Sequence, residues 1–325
     1  MGYDMSTYIF RRLLQLIPVL IGVSFLVYFI LDLAPGDAAD VLATPEMSVA
    51  DKEALRESLG LNRSVFVRYF DYITGFVRGD LGTSYITGND VWQSYIKRFP
   101  ATLILAFCTT LLAASLSIPI GVFSAKHRGT LADSAAMLIA LCGLSMPGFF
   151  IGLILIIVFS LKLHLLDSGG FVNWKSLIMP SISAASAMLA TMTRTTRTSM
   201  LDAMTMDYLD LARSKGVSEK KVINKHALKN ALIPIVTIVG AEFAGSLGGT
   251  VITEKVFAWP GVGSFVIDAV SNRDIPVVCG CVTMTTMLIT VAMLMVDILY
   301  AFIDPRIKEK YARKNRRRKK ATQNG

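Results

Sequence analysis

The sequence predicts an all-α integral membrane protein with about six transmembrane helices, and three observations carry that prediction. Hydrophobic residues make up 53% of the 325 positions and the mean hydropathy is +0.53, more apolar surface than a soluble domain of this length usually hides. Six apolar stretches, each about 17–25 residues once trimmed, are long enough to cross a hydrocarbon core. Basic residues crowd some connections and are sparse in others, so their placement says more than the net charge of +9.

Residues 1–33 form the first unit, an N-terminal anchor whose apolar stretch is 13–33. Arg11 and Arg12 precede it. The stretch is too long for a signal-peptide core, and no small-x-small cleavage site follows at once. Residues 34–100 form a long outer region that reads as folded. Ser48 suits the N-cap of a helix carrying Ala50, Leu55 and Leu59, and Gly60 suits its end. A second amphipathic run places Val65, Tyr69, Tyr72, Ile73 and Phe76 at helical spacing. This region serves either as a cap over the helix bundle or as a docking surface.

The core occupies 101–304, with apolar stretches at 102–125, 135–161, 177–192, 232–252 and 277–303. The stretch "LIMPSISAASAMLATM" is short, rich in small residues and carries Pro180, so neighbouring helices rather than lipid should enclose it. Lys126, His127 and Arg128 fall in one connection, and Arg194, Arg197, Arg213, Lys215, Lys220, Lys221, Lys225 and Lys229 in another. The connections between these carry few: Lys162 and Lys175, then Lys255 and Arg273. A basic tail fills 305–325. This bias places both termini and the 194–231 connection in the cytoplasm.

Within that connection, "DYLDLARSKGVSEKKVINKHALKNALIP" reads as two short helices. Ala212 and Gly216 are four apart, and Gly216 permits the left-handed turn that ends the first helix. Ser218 suits the cap of the second, with Glu219 in its first turn. Val222, Ile223, Ala227 and Leu228 make an apolar stripe, with Lys220, Lys221, Lys225 and Lys229 towards the other side. Contact with anionic headgroups explains the lysines. The small and acidic residues of the first helix suit a partner's cleft.

The fifth stretch contains "VGAEFAGSLGGTVITE". Ala241, Gly245 and Gly249 recur every four residues, a pattern for helix–helix contact. Glu242 is an ionisable group near mid-span, expected to face the bundle interior or a wet cavity. Beyond it, "VFAWPGVGSFVIDAVSNRDIPVV" reads as a tight external hairpin, with Trp259 at an interfacial aromatic belt and Pro260, Gly261 and Gly263 forcing the turn.

Several chemistries find no support. The four cysteines, Cys108, Cys142, Cys279 and Cys281, lie in apolar runs and read as buried free thiols. His127, His164 and His226 have no metal-ligand spacing, so neither a metal site nor a catalytic constellation is expected. No G-x-x-x-x-G-K-[ST] occurs, so the chain carries no nucleotide-binding P-loop of its own. The basic tail needs no nucleic acid, because phospholipid is a sufficient counter-ion.

"DYLDLARSKG" followed by "HALKNALIPIVT" resembles the cytoplasmic signature loop of bacterial ABC importer permeases. The likeness extends through "RRLLQLIPVLIGVSFLVYFI", "LAPGD", "GDLGTSY", "RFPATLILA", "SMPGFFIGLILI", the hairpin above and "DILYAFIDPRIK". As a set these are similar to the dipeptide/oligopeptide/nickel branch, first permease subunit of the pair, up to about Lys308. The usual opening of the signature is kept loosely by Asp210, Leu211 and Ala212, with Gly216 intact. Met293 and Glu242 also depart from the family pattern.

The resemblance implies a type I ABC importer transmembrane domain in a bacterial plasma membrane. It implies a coupling element at Asp207, Tyr208, Leu211, Ala212, Lys215, Gly216 and Val217 that docks on an ATPase. Glu242 and Ser246 become candidates for the translocation path, and Ala241, Gly245 and Gly249 for helix packing. The expected partners are a homologous second permease, two ATPase subunits holding ATP and Mg, an extracytoplasmic binding protein and the bilayer. Peptides are the first expectation for cargo, with nickel or a chelated metal as the alternative. An ion-coupled secondary transporter is more distant, since Glu242 and Asp297 alone are placed for it.

Overall fold

The computed structural model describes residues 3–303; the basic tail lies outside the described residues. Helices α1 (Tyr3–Leu33), α2 (Ala38–Leu42), α3 (Val49–Ser58), α4 (Val65–Val77) and α5 (Val91–Lys126) form the first part. Next come α6 (Leu131–Ser145), α7 (Gly148–Leu155), a π-helical stretch Ile156–Lys162 and α8 (Ile178–Met204). Then follow α9 (Tyr208–Ser214), α10 (Glu219–Lys221), a second π-helical stretch Val222–Ala227 and α11 (Leu228–Gly249). The chain continues with α12 (Val251–Val256), α13 (Val262–Ser271) and α14 (Ile275–Ile303). No strand occurs among the described residues.

The third apolar stretch differs from expectation. It is not one straight helix but the pair α6 and α7, bent by 86°. The break falls at Met146, whose backbone is extended (φ −105°, ψ 130°), because the ring of Pro147 disfavours helix at the residue before it. The pair stays against α8 on both sides of the break. Asp133 at the start of α6 bonds Arg197 of α8. Gly143 then lies against the Ser186 carbonyl, and Gly148 and Gly152 against Ser183. Contact thus travels along α8 from 197 to 183, fourteen residues or about 21 Å of rise. With this pair counted as one span, six segments among the described residues are long and apolar enough to cross a membrane.

Helix α8 sits at the centre, packed against α5, α6, α7 and α11. This is the short, small-residue stretch expected to be enclosed, and half of its most apolar window is buried. Close approach shows at Gly121 of α5, where an added Cβ would stand 2.6 Å from Thr196.

At the cytoplasmic end a buried carboxylate ties three crossings together. Arg197 donates to Asp133 through Nε at 2.8 Å and Nη2 at 2.7 Å. Ser124 Oγ and the Gly129 amide donate to the same carboxylate. Breaking such a pair strands a desolvated charge. Arg197→Ala is therefore expected to cost about 3 kcal/mol and to lower the melting temperature by roughly 5 °C. Asp133→Ala/Arg197→Ala should lose less than the sum of the single variants; strictly additive losses in a double-mutant cycle would contradict the pairing.

The outer end corrects another expectation. Trp259 is not in an aromatic belt. It is 0% exposed, with Nε1 donating to the Ala101 carbonyl at 2.9 Å, because the Pro260–Gly261 turn folds inwards over the bundle. Beneath the turn lies Glu254, also fully buried. Its carboxylate accepts from Thr102 Oγ1 at 2.8 Å, Thr250 Oγ1 at 3.2 Å and the Ser264 amide at 3.1 Å. Gly261 has no room for a side chain, since a Cβ there would collide with that carboxylate.

In the outer region Ser48 and Asp51 form a reciprocal capping box for α3, and Gly60 takes φ 68°. A hydrogen bond from Lys52 holds the Asp40 carboxyl below the usual carboxylate range. The cysteines are all free. Cys279 and Cys281 are buried, but Cys142 is exposed, because α6 turns that side away from α8.

Candidate functional site

The polar connection between α8 and α11 folds into a compact cytoplasmic element. Asp207 opens α9, its carbonyl accepting from the amides of Asp210 and Leu211 at 3.1 and 3.3 Å. The helix ends in a Schellman motif. The Gly216 amide donates to Arg213 O at 2.9 Å and the Val217 amide to Ala212 O at 3.2 Å. Gly216 takes φ 77°, which a glycine adopts without a Cβ penalty.

Across that turn Arg213 clamps the two arms. It bonds both carboxylate oxygens of Glu219, at 3.1 and 3.0 Å, and Asp210 at 2.8 Å. These acceptors, Glu219 first, push the guanidinium pKa further up. Ser218 stands at the N-cap of α10, but its side chain makes no capping bond. The Arg213–Glu219 clamp organises that corner instead.

One side of α9 is fastened to the bundle. Leu209 is fully buried among Ala125 of α5, Met200 and Ala203 of α8, Val222, Ile223 and Ala227, and Ala231 and Ile235 of α11. Ala212 and Val217 pack against the same cluster. Ala212, half-buried, thus packs on the chain's own core. The other side is open: Asp207, Tyr208, Leu211, Lys215 and Gly216 are exposed, with Leu211 at 59%. Sequence reasoning missed Leu209, whose signal is a lone leucine that α9 turns opposite to Leu211.

Leu209 thus fastens α9 to the cytoplasmic ends of α5, α8 and α11 together. Asp133 and Arg197 brace the same ends to α6.

On α11 the close-contact glycines are Gly240 and Gly248, which meet Val296 and Ile289 of α14. Gly245 and Gly249 face open space, so of the Ala241, Gly245 and Gly249 stripe these two do not pack within this chain. Glu242 lies on the same arc of about 100°, half-exposed and without a hydrogen bond or ion pair among the described residues. Ser246 does not share that open arc. It is buried and bonds the Phe243 carbonyl at 2.7 Å. Asp297 pairs with Arg12 at 3.1 Å, joining α14 to α1.

Comparison with known proteins places the whole chain in one family. The family described as "Binding-protein-dependent transport system inner membrane component" matches residues 117–309, and its N-terminal companion matches residues 5–106. The chain is 40% identical to the oligopeptide transport system permease protein AppB of Bacillus subtilis (strain 168), over 93% of this chain and 99% of the relative. It is 39% identical to the glutathione transport system permease protein GsiC of Escherichia coli (strain K12), over 94% of this chain and all of the relative. A chain from the inward-facing structure of the MetNI methionine ABC transporter superposes with a TM-score of 0.55 at 16% identity. That likeness covers 65% of this chain and 96% of the other and bears on the fold.

Proposed function

The chain belongs to the binding-protein-dependent transport system inner membrane component family, and from that premise we propose that it is the membrane-spanning permease subunit of an ABC importer that moves peptides. The observation that carries the cargo is full-length similarity to permeases named for oligopeptides and for glutathione, itself a tripeptide. Nickel is not favoured, since neither name points to a metal.

The proposed cycle follows from the anchoring of α9. ATP binding closes two partner ATPase subunits, which hold ATP and Mg. Their motion reaches the open side of α9 at Asp207, Tyr208, Leu211 and Lys215. Leu209, supported by Ala212 and Val217, passes it to three crossings, which rock as rigid bodies and alternate access. The open arc of α11 with Ala241, Glu242, Gly245 and Gly249 faces a homologous second permease across the translocation path. An extracytoplasmic binding protein delivers the peptide at the outer side of a bacterial inner membrane.

Reconstitution tests the reading. Proteoliposomes carrying this subunit with its cognate permease, ATPases and binding protein should take up labelled short peptides only when ATP is enclosed. ATP-dependent uptake of radioactive nickel without peptide uptake would overturn the assignment.

A further inference from the structure

Helix α4 divides into three faces, and each points to a different surrounding. Val65, Tyr69, Tyr72 and Phe76 pack against α1 and α14. About 100° further round the helix, Phe66, Phe70 and Val77 are exposed at 66, 67 and 80%. The remaining side carries Arg68, Asp71 and Arg78, with Asp71 paired to Arg63 at 2.7 Å.

Side-chain reach fixes the depth of α4. Twenty residues of α1 separate Arg12 from Asp32, about 30 Å of helix and the thickness of a hydrocarbon core. Arg12 pairs with Asp297 at one end, so Asp32 marks the outer boundary. Arg68 reaches up to Asp32 at 2.5 Å. Tyr69, the next residue, reaches down to the Ile21 carbonyl at 3.1 Å, eleven residues or about 16 Å below Asp32. The backbone of α4 lies between those levels. Tyr72 agrees, donating to the Cys279 carbonyl at 3.1 Å and meeting Thr283 Oγ1 at 2.9 Å. Those residues lie four and eight positions into α14, about 6–12 Å below its outer end.

A helix at that depth with an unpartnered apolar face matches the geometry of one embedded in an acyl boundary, about 5–10 Å below the headgroups. The lipid side of α1 continues the surface. Leu26, Ile30 and Leu33 are exposed there, and Phe29 meets Phe66 edge-on with ring centroids 5.3 Å apart. Arg68 also lines a cavity of about 260 Å³ together with Asp32, Asp37, Asp40, Arg56 and Arg273, so charged side chains gather on the side of α4 away from Phe66 and Phe70.

We propose that α4 is an interfacial helix lying in the outer leaflet, with Phe66, Phe70 and Val77 immersed in phospholipid acyl chains. The outer region is then tied to the bilayer along α4 and does not offer this face to a protein partner.

The test uses the complete transporter in proteoliposomes with p-benzoylphenylalanine placed singly at 66, 70 or 77, at 26 as a lipid-facing control, and at 71 on the polar side. After illumination, the subunit should gain the mass of one phospholipid at 66, 70, 77 and 26 and none at 71. Cross-links from 66 and 70 to the second permease or the binding protein would overturn the proposal. So would absence of a lipid adduct there while position 26 gives one. As a second measurement, Phe66→Trp should add fluorescence that brominated phospholipid quenches more strongly than aqueous iodide; the reverse order would also overturn it.

Discussion

Gly216→Pro should leave the subunit in the membrane and abolish stimulation of ATP hydrolysis by peptide-loaded binding protein. The position demands φ 77°, and the proline ring fixes φ near −65°. The substitution also deletes the amide that donates to Arg213 O, so the Schellman turn is lost and α9 separates from its clamp. Space is not the issue, because a Cβ at 216 meets nothing within 4 Å. Gly216→Ala isolates the backbone term at about 1–2 kcal/mol and should reduce stimulation only partly. Basal hydrolysis by the ATPase subunits should persist in both variants. Undiminished stimulation in the proline variant would refute the role given to α9.

Glu254→Ala should strongly destabilise the outer end of the bundle. It would leave Thr102, Thr250 and the Ser264 amide around an empty, desolvated space. A cost of about 3 kcal/mol follows from leaving several neutral buried donors unpaired, at about 1–3 kcal/mol each before they relax. Thr102 also accepts from the Val262 amide at 2.9 Å, so the damage spreads from α12 into α5 and α13. Glu254→Gln keeps the volume but offers a donor where acceptors are needed, and should cost about 1–2 kcal/mol. Glu242→Ala, by contrast, should scarcely alter the melting temperature, since Glu242 has no partner to strand among the described residues. Equal melting temperatures for Glu254→Ala and the unsubstituted protein would contradict the buried network.

The two glutamates show where the sequence was legible and where it was not. Glu242 stood out because it interrupts an apolar run. Glu254 drew no attention beside Lys255, and its principal partner, Thr102, is 152 residues away. No local pattern carries that contact. Crossings were legible because hydrophobic length is a local property. The bend at Met146 was legible only in hindsight, from the proline beside it. Gly216 was readable because its φ is a demand on a single residue. The inward turn of Ala212 and Leu209 was not, because it depends on α5, α8 and α11 meeting beneath α9. Trp259 was misplaced for a related reason: its ring matches an interfacial belt by composition, while the hairpin buries it.

If α9 couples transport to ATP hydrolysis, its open side seats in a partner ATPase. Leu211→Cys, introduced into the assembled transporter and treated with a short bifunctional thiol reagent, should then cross-link to an ATPase subunit, with a yield that changes when ATP is bound. Labelling of the introduced thiol by a membrane-confined reagent, with no ATPase adduct in the intact complex, would contradict it.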